Sequence, residues 1–248
     1  MKIAAMAFTA IVTFALPLGL MLWYQRKGGR WSSFFAGAGT FILFALLLEQ
    51  LFHALVLFSP LGGTIQNTLW LYALYGGLAA GLFEETGRFV AFRFFLKKQK
   101  EPITALAYGA GHGGVEAVLI VGLTMVNNIV LLAVANSGTA LEPSMAAAAE
   151  ALAATAAGMF LWSAFERVVA IILHIALSVL VFAAVREAKK HGFFVAAVLI
   201  HAGVDALAVV LGGSMPVAVT ELAVLAVTVL TALFAAKVYR NLKPADPA

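Results

Sequence analysis

The chain has 248 residues, 63% of them hydrophobic and 11% charged, with a formal net charge of +4. Its mean hydropathy of +0.99 lies outside the range of soluble globular domains and marks an integral membrane protein. Cysteine is absent, which excludes disulfides and thiolate-bound metals.

A bilayer core about 30 Å thick needs roughly 20 apolar residues per helix, and continuous runs of Ala, Leu, Val and Phe reach that length repeatedly. The short alternating segments of an outer-membrane barrel are missing from the pattern. The expected fold class is therefore all-α, a polytopic transmembrane helical bundle with about seven crossings. In chain order the first predicted crossing is 3–24, too long for a signal-peptide core and without an A-x-A cleavage site, so it is read as a retained helix. Crossings at 32–58, 68–96, 103–134, 160–186, 192–211 and 217–238 follow. The Ala-rich piece AAAAEALAATAAG, from Ala146, is predicted as a separate short helix at the outer surface.

Basic residues gather in four clusters: Arg26, Lys27 and Arg30; Lys97, Lys98 and Lys100; Arg186, Lys189 and Lys190; Lys237, Arg240 and Lys243. The positive-inside rule makes each a cytoplasmic end, which puts the N-terminus outside and the C-terminus in the cytoplasm. The turns SPLGGTIQN, NSGTALEPSM and GGSMP carry no Lys or Arg and read as outer turns. With no linker in view, residues 1–248 read as one membrane domain whose motif-bearing core covers about 68–211. The clusters account for the positive charge as membrane anchoring, so the expected partners are the lipid bilayer and a membrane protein or peptide, with no nucleic acid. A bacterial plasma membrane is the expected location.

An ionisable residue at mid-bilayer costs a few kcal/mol on insertion scales, so each is a functional candidate. Glu84 lies thirteen residues from Lys97, His112 twelve from Lys100, His174 twelve from Arg186 and His201 eleven from Lys190. At 1.5 Å per residue all four stand at one depth, roughly 16 to 20 Å from the basic clusters. Residues four apart share a helix face, which pairs Glu84 with Arg88, His112 with Glu116 and His201 with Asp205. Gly109, Gly111, Gly113 and Gly114 bracket His112, either for close helix packing or for a bend that admits water or substrate. Glu49 and His53 are expected to form a structural pair nearer the outer surface, and Glu166 and Arg167, beside Trp162, to be interfacial anchors. Asn127 and Asn128 read as interhelical glue, and Arg93 as a snorkelling side chain outside the site.

No H-E-x-x-H and no G-x-S-x-G is present, and only one aspartate falls in a candidate site helix. A pocket rich in Glu and His without a nucleophile suits general-base activation of water with stabilisation of the resulting oxyanion. This reading needs no cofactor. The alternative is zinc, for which His112, His174, His201 and Glu84 make an open tetrahedral donor set. A second alternative, of another class, is a proton- or cation-coupled transporter, since the same residue types build intramembrane relays.

The ordered motifs E84-E85-T-G-R88, H112-x-x-x-E116, His174 and H201-x-x-x-D205 resemble those of the YhfC-family intramembrane proteases. They are also similar to the motifs of the PrsW-type proteases and the type II CAAX prenyl proteases, so a CAAX-protease-like core is expected. The resemblance spans residues 80 to 206. It implies peptide-bond hydrolysis at membrane depth by a glutamate-type endopeptidase acting on membrane-associated proteins or peptides. By the same resemblance, Glu84 is the general base, tuned by Glu85 or Arg88, and His112 holds the water. His201 donates to the oxyanion with Asp205 orienting its imidazole, and His174 and Glu116 complete the lining.

Overall fold

The structure, a computed structural model, describes residues 1–187 and 190–242, and among these no strand occurs. Lys189 and Lys243, counted in the basic clusters, lie outside the described residues. The chain runs through α1 (Lys2–Arg26), α2 (Trp31–Leu57), the short α3 (Gly62–Gln66) and α4 (Leu69–Val90), which continues as a π-helical turn over Ala91–Phe95. Then come α5 (Ile103–Asn136), α6 (Pro143–Ala154), α7 (Ala157–Arg186), α8 (Gly192–Gly212) and α9 (Val217–Arg240). These bounds lie within a few residues of the predicted crossings, and α6 is the separate Ala-rich helix expected after Ala146, begun by Pro143 in its first turn. Gly28, at φ 93°, and Gly138, at φ 78°, supply left-handed backbone just beyond the ends of α1 and α5.

Among the described residues six helices, α1, α2, α5, α7, α8 and α9, are long and apolar enough to cross a membrane. The third predicted crossing, α4, has the length but carries Glu84, Glu85, Arg88 and Arg93, so its composition sets it apart. Two long helices contain internal π-helical segments, Phe41–Glu49 in α2 and Ala117–Gly122 in α5, which the hydrophobic periodicity does not announce.

At the centre of the bundle stands α7. Its apolar window has a mean hydropathy of 2.9 and is 72% buried, against 17–28% for the other five spans. A helix apolar on every side has no polar face to turn outward and is driven to the core. Around it pack α1, α4, α5, α8 and α9. Close approach depends on small residues, as is general where lipid supplies no hydrophobic drive between helices. On α4, Gly77 and Gly81 lie against the backbone of Ala202 and Val198 in α8, while Gly37 of α2 and Gly111 of α5 seat each helix against the other's backbone. Large apolar side chains such as Leu55, Phe58, Trp70 and Leu230 face outward, as a lipid-contacting surface requires.

The loop ends fix which helix termini share a side. Arg186 donates to the carbonyls of Leu96, Lys97 and Gln99 at 2.8 to 3.0 Å, and the Gln99 side chain bonds Ser32 and Ser33. Three of the basic clusters thus meet at one end of the bundle. At the other, the Lys2 ammonium donates to the carbonyl of Ala153 in α6.

Candidate functional site

Helix α4 brings Glu84, Glu85 and Arg88 to the interior, all buried, and Arg88 at 0% exposure heads the fully buried large side chains. The guanidinium lies 3.8 Å from Glu84 Oε2 and 3.5 Å from Glu85 Oε1, and it also reaches α7. There it donates through Nη1 to the His174 carbonyl at 3.0 Å and through Nη2 to His174 Nδ1 at 2.6 Å. Arginine has no acceptor, so Nδ1 presents its lone pair and the ring proton sits on Nε2.

That Nε2 edge faces Glu116 Oε2 at 2.5 Å, a charge contact outside hydrogen-bonding alignment, since this oxygen has no hydrogen-bond partner among the described residues. His112, also buried, offers Nε2 to Glu84 Oε2 at 2.8 Å, while its Nδ1 has no hydrogen-bond partner among the described residues. Phe41 of α2 meets the His112 ring edge-on at 5.2 Å, and Tyr108, one turn earlier, is held by the Thr40 hydroxyl.

From α8, His201 Nδ1 donates to Glu85 Oε1 at 2.8 Å, leaving Nε2 directed at Glu84 Oε2, 3.9 Å away. Three imidazoles from three helices therefore surround one carboxylate oxygen, with His174 Nδ1 4.0 Å from it. The seven expected side chains Glu84, Glu85, Arg88, His112, Glu116, His174 and His201 meet in one cluster. Asp205 stands at its edge, with 38% of its side chain exposed and 3.6 Å from His201 Nε2. The residue that fixes the His201 ring is Glu85, which takes the orienting position the resemblance gave to Asp205.

Arg167 departs from expectation. Instead of anchoring at the interface it is buried and donates to Glu116 Oε1 at 2.6 Å, with Glu166 as a second carboxylate partner. The missed signal was spacing, for Arg167 precedes His174 by seven residues and so shares its helix face. The interhelical glue expected of Asn127 and Asn128 is not observed: Asn127 is exposed, and neither side chain bonds another described residue. Arg93 is exposed, as expected. Glu49 and His53 do pair, at 3.2 Å, and His53 also bonds the Tyr75 hydroxyl at 2.7 Å. The glycines beside His112 serve close packing. A methyl group on Gly109 would meet the backbone of Ile175, and one on Gly113 would meet the His174 ring and Ile171.

The donor set suits a divalent metal. Glu84, His112 and His174 each offer one ligand atom, and these atoms lie within 4.8 Å of one another. Two imidazoles and one carboxylate, with a fourth position open, are the protein ligands of a common class of catalytic zinc sites. The surroundings also match, because metal-binding imidazoles are characteristically backed by a carboxylate on the other ring nitrogen, as Glu116 backs His174.

Comparison with known proteins bears on the same point. Residues 12–229 match the family model described as YhfC intramembrane metalloprotease. Over 208 residues the chain is 38% identical to a protein of Bacillus subtilis (strain 168) described as uncharacterized membrane protein YhfC, covering 79% of this chain and 80% of that relative. No solved structure matches. The metalloprotease family and the clustered donors favour the zinc alternative over the metal-free expectation. This integral membrane protein is an intramembrane peptidase, and the chain belongs to the YhfC intramembrane metalloprotease family.

Proposed function

We propose that the protein cleaves peptide bonds of membrane-associated proteins or peptides with a divalent metal, zinc by its donor chemistry, held by Glu84, His112 and His174. The observation that carries this reading is the convergence of three imidazole nitrogens within 4.0 Å of Glu84 Oε2 in a buried site. A divalent ion held by these residues would supply Lewis acidity toward water and the scissile carbonyl. Glu84 would serve as base for the attacking water. His201, steadied by Glu85 through Nδ1–H, points Nε2 into the cluster; as an imidazolium it would donate from Nε2 to the developing oxyanion and pass that proton to the leaving amine. Arg88 balances the buried carboxylates Glu84 and Glu85, and Asp205 marks the edge at which substrate approaches.

In the same reading α4 is the seventh crossing. Its four charges are matched inside the bundle or, for Arg93, exposed near the basic end. The clustered basic ends face the cytoplasm of a bacterial plasma membrane, with the N-terminus outside. The ordered motifs also support kinship with the PrsW-type and type II CAAX proteases. Family membership favours hydrolysis over ion-coupled transport.

The test is cleavage of a membrane-peptide mixture by purified protein in lipid nanodiscs, before and after chelation. Activity should disappear with the metal, return on adding Zn²⁺, and be missing from Glu84→Gln at normal expression. Wild-type turnover by protein verified to be metal-free would overturn the metal reading and restore the metal-free glutamate mechanism.

A further inference from the structure

We infer that Arg167 is a positioning residue of the metal centre, acting through Glu116 to fix the His174 ring so that its Nδ1, not its Nε2, faces the other ligands. The inference rests on the metal reading above and extends it to a residue outside the ordered motifs.

The chain of contacts is continuous. Arg167 Nη1 holds Glu116 Oε1 at 2.6 Å, and the other oxygen of that carboxylate stands 2.5 Å from His174 Nε2. The ring proton is on Nε2, as the Arg88 contact to Nδ1 requires, so the Glu116 carboxylate faces an N–H and not a lone pair. Nδ1 is also the His174 nitrogen that approaches Glu84. The Arg167–Glu116 pair holds the Nε2–H edge and leaves the lone pair on Nδ1, where Arg88 donates in this structure and where a bound metal would take the place of that N–H.

Without Arg167, Glu116 would be a carboxylate in the bundle interior with no arginine partner. Nothing would then fix its Oε1, and its hold on Nε2 would loosen. The other arginine of the cluster, Arg88, contacts Glu84 and Glu85 and makes no ion pair with Glu116 among the described residues, so it does not substitute. Arg167 touches none of the reacting groups itself. Its effect is carried by the ring it helps to orient.

The experiment is a Zn²⁺ titration against a competing chelator on detergent-purified wild type, Arg167→Gln, Arg167→Lys and Glu116→Gln, with the melting midpoint of each metal-free protein measured in parallel. Loss of a supporting partner typically weakens metal affinity about 10- to 100-fold, and that is the effect expected of Arg167→Gln, with Arg167→Lys recovering part of it. In a Glu116→Gln background, Arg167→Gln should add nothing, because its route to the metal is already cut. A lower melting midpoint with unchanged zinc affinity, or a loss that adds in full to that of Glu116→Gln, would overturn the inference. Should Arg167→Gln not fold, Glu116→Gln removes the same tether, and wild-type affinity in that variant would be equally damaging. If the wild-type protein binds no zinc at all, the metal reading itself fails, an outcome distinct from a variant that matches a zinc-binding wild type.

Discussion

Two separate Glu–His sets, one around Glu49 and one around Glu84, differ in what surrounds them. Glu49 and His53 lie on one helix and add only Tyr75 from α4, closing a small hydrogen-bonded set with one imidazole. Glu84 instead gathers His112, His174 and His201 from α5, α7 and α8, with two arginines behind them. Both sets contain an i to i+4 pair, Glu49 with His53 and Glu84 with Arg88, so that spacing carries no functional information by itself. What separates a structural pair from a reactive centre is the number of helices that deliver polar groups to one point.

That contrast can be broken by mutation, and the largest effect belongs to the Glu84 cluster. Glu84→Gln should lower kcat/KM by about 10²- to 10⁴-fold, the usual share of a general base, while Glu49→Gln leaves cleavage close to wild type. Equal losses in a peptide-cleavage assay would erase the distinction between the two sets. A second prediction concerns the packing that brings α5 to His174. Gly113→Val should cost about 1–3 kcal/mol through overpacking against Ile171 and the His174 ring, and activity should fall by more than the melting midpoint implies. Gly203→Ala, two residues from His201 with open space around it, should leave both nearly unchanged.

The structural set should respond in stability alone. His53→Ala removes contacts to Glu49 on its own helix and to Tyr75 on α4, the latter worth about 0.6 kcal/mol on the average for interhelical bonds in membranes, and kcat should stay at wild type. A kcat defect in that variant would extend the reactive centre outward along α2. The smallest effect is expected at Asn127, exposed and unbonded, where Asn127→Ala should stay within about 0.5 kcal/mol of wild type in thermal melts.

Much of this arrangement was readable along the chain. Counting from the basic clusters placed Glu84, His112, His174 and His201 at one depth, and the fold brings them together. Depth says nothing of direction around the helix axis, however, and there the reading was weaker. The π-helical segment Phe41–Glu49 shifts the phase of α2, so a 3.6-residue period does not give the face Glu49 presents. Arg167 was misplaced for another reason. Its Cα lies nineteen residues from Arg186, but a long guanidinium side chain reaches a carboxylate about a turn or more away, so its charge acts deeper than its backbone position suggests. Asp205 shows the converse. Spacing paired it with His201, yet His201 Nδ1 bonds Glu85 from another helix, a choice that only the packing of α4 against α8 decides.

The central claim is that Glu84, His112 and His174 form one metal-binding set inside the membrane. X-ray absorption spectroscopy at the zinc edge, on protein loaded with an equimolar amount of Zn²⁺, tests it most directly. The account predicts a low-coordinate shell with two imidazoles in wild type, one in His112→Ala, and two again in His53→Ala. A fully hydrated ion, or an imidazole count that ignores His112 and falls in His53→Ala, would contradict it.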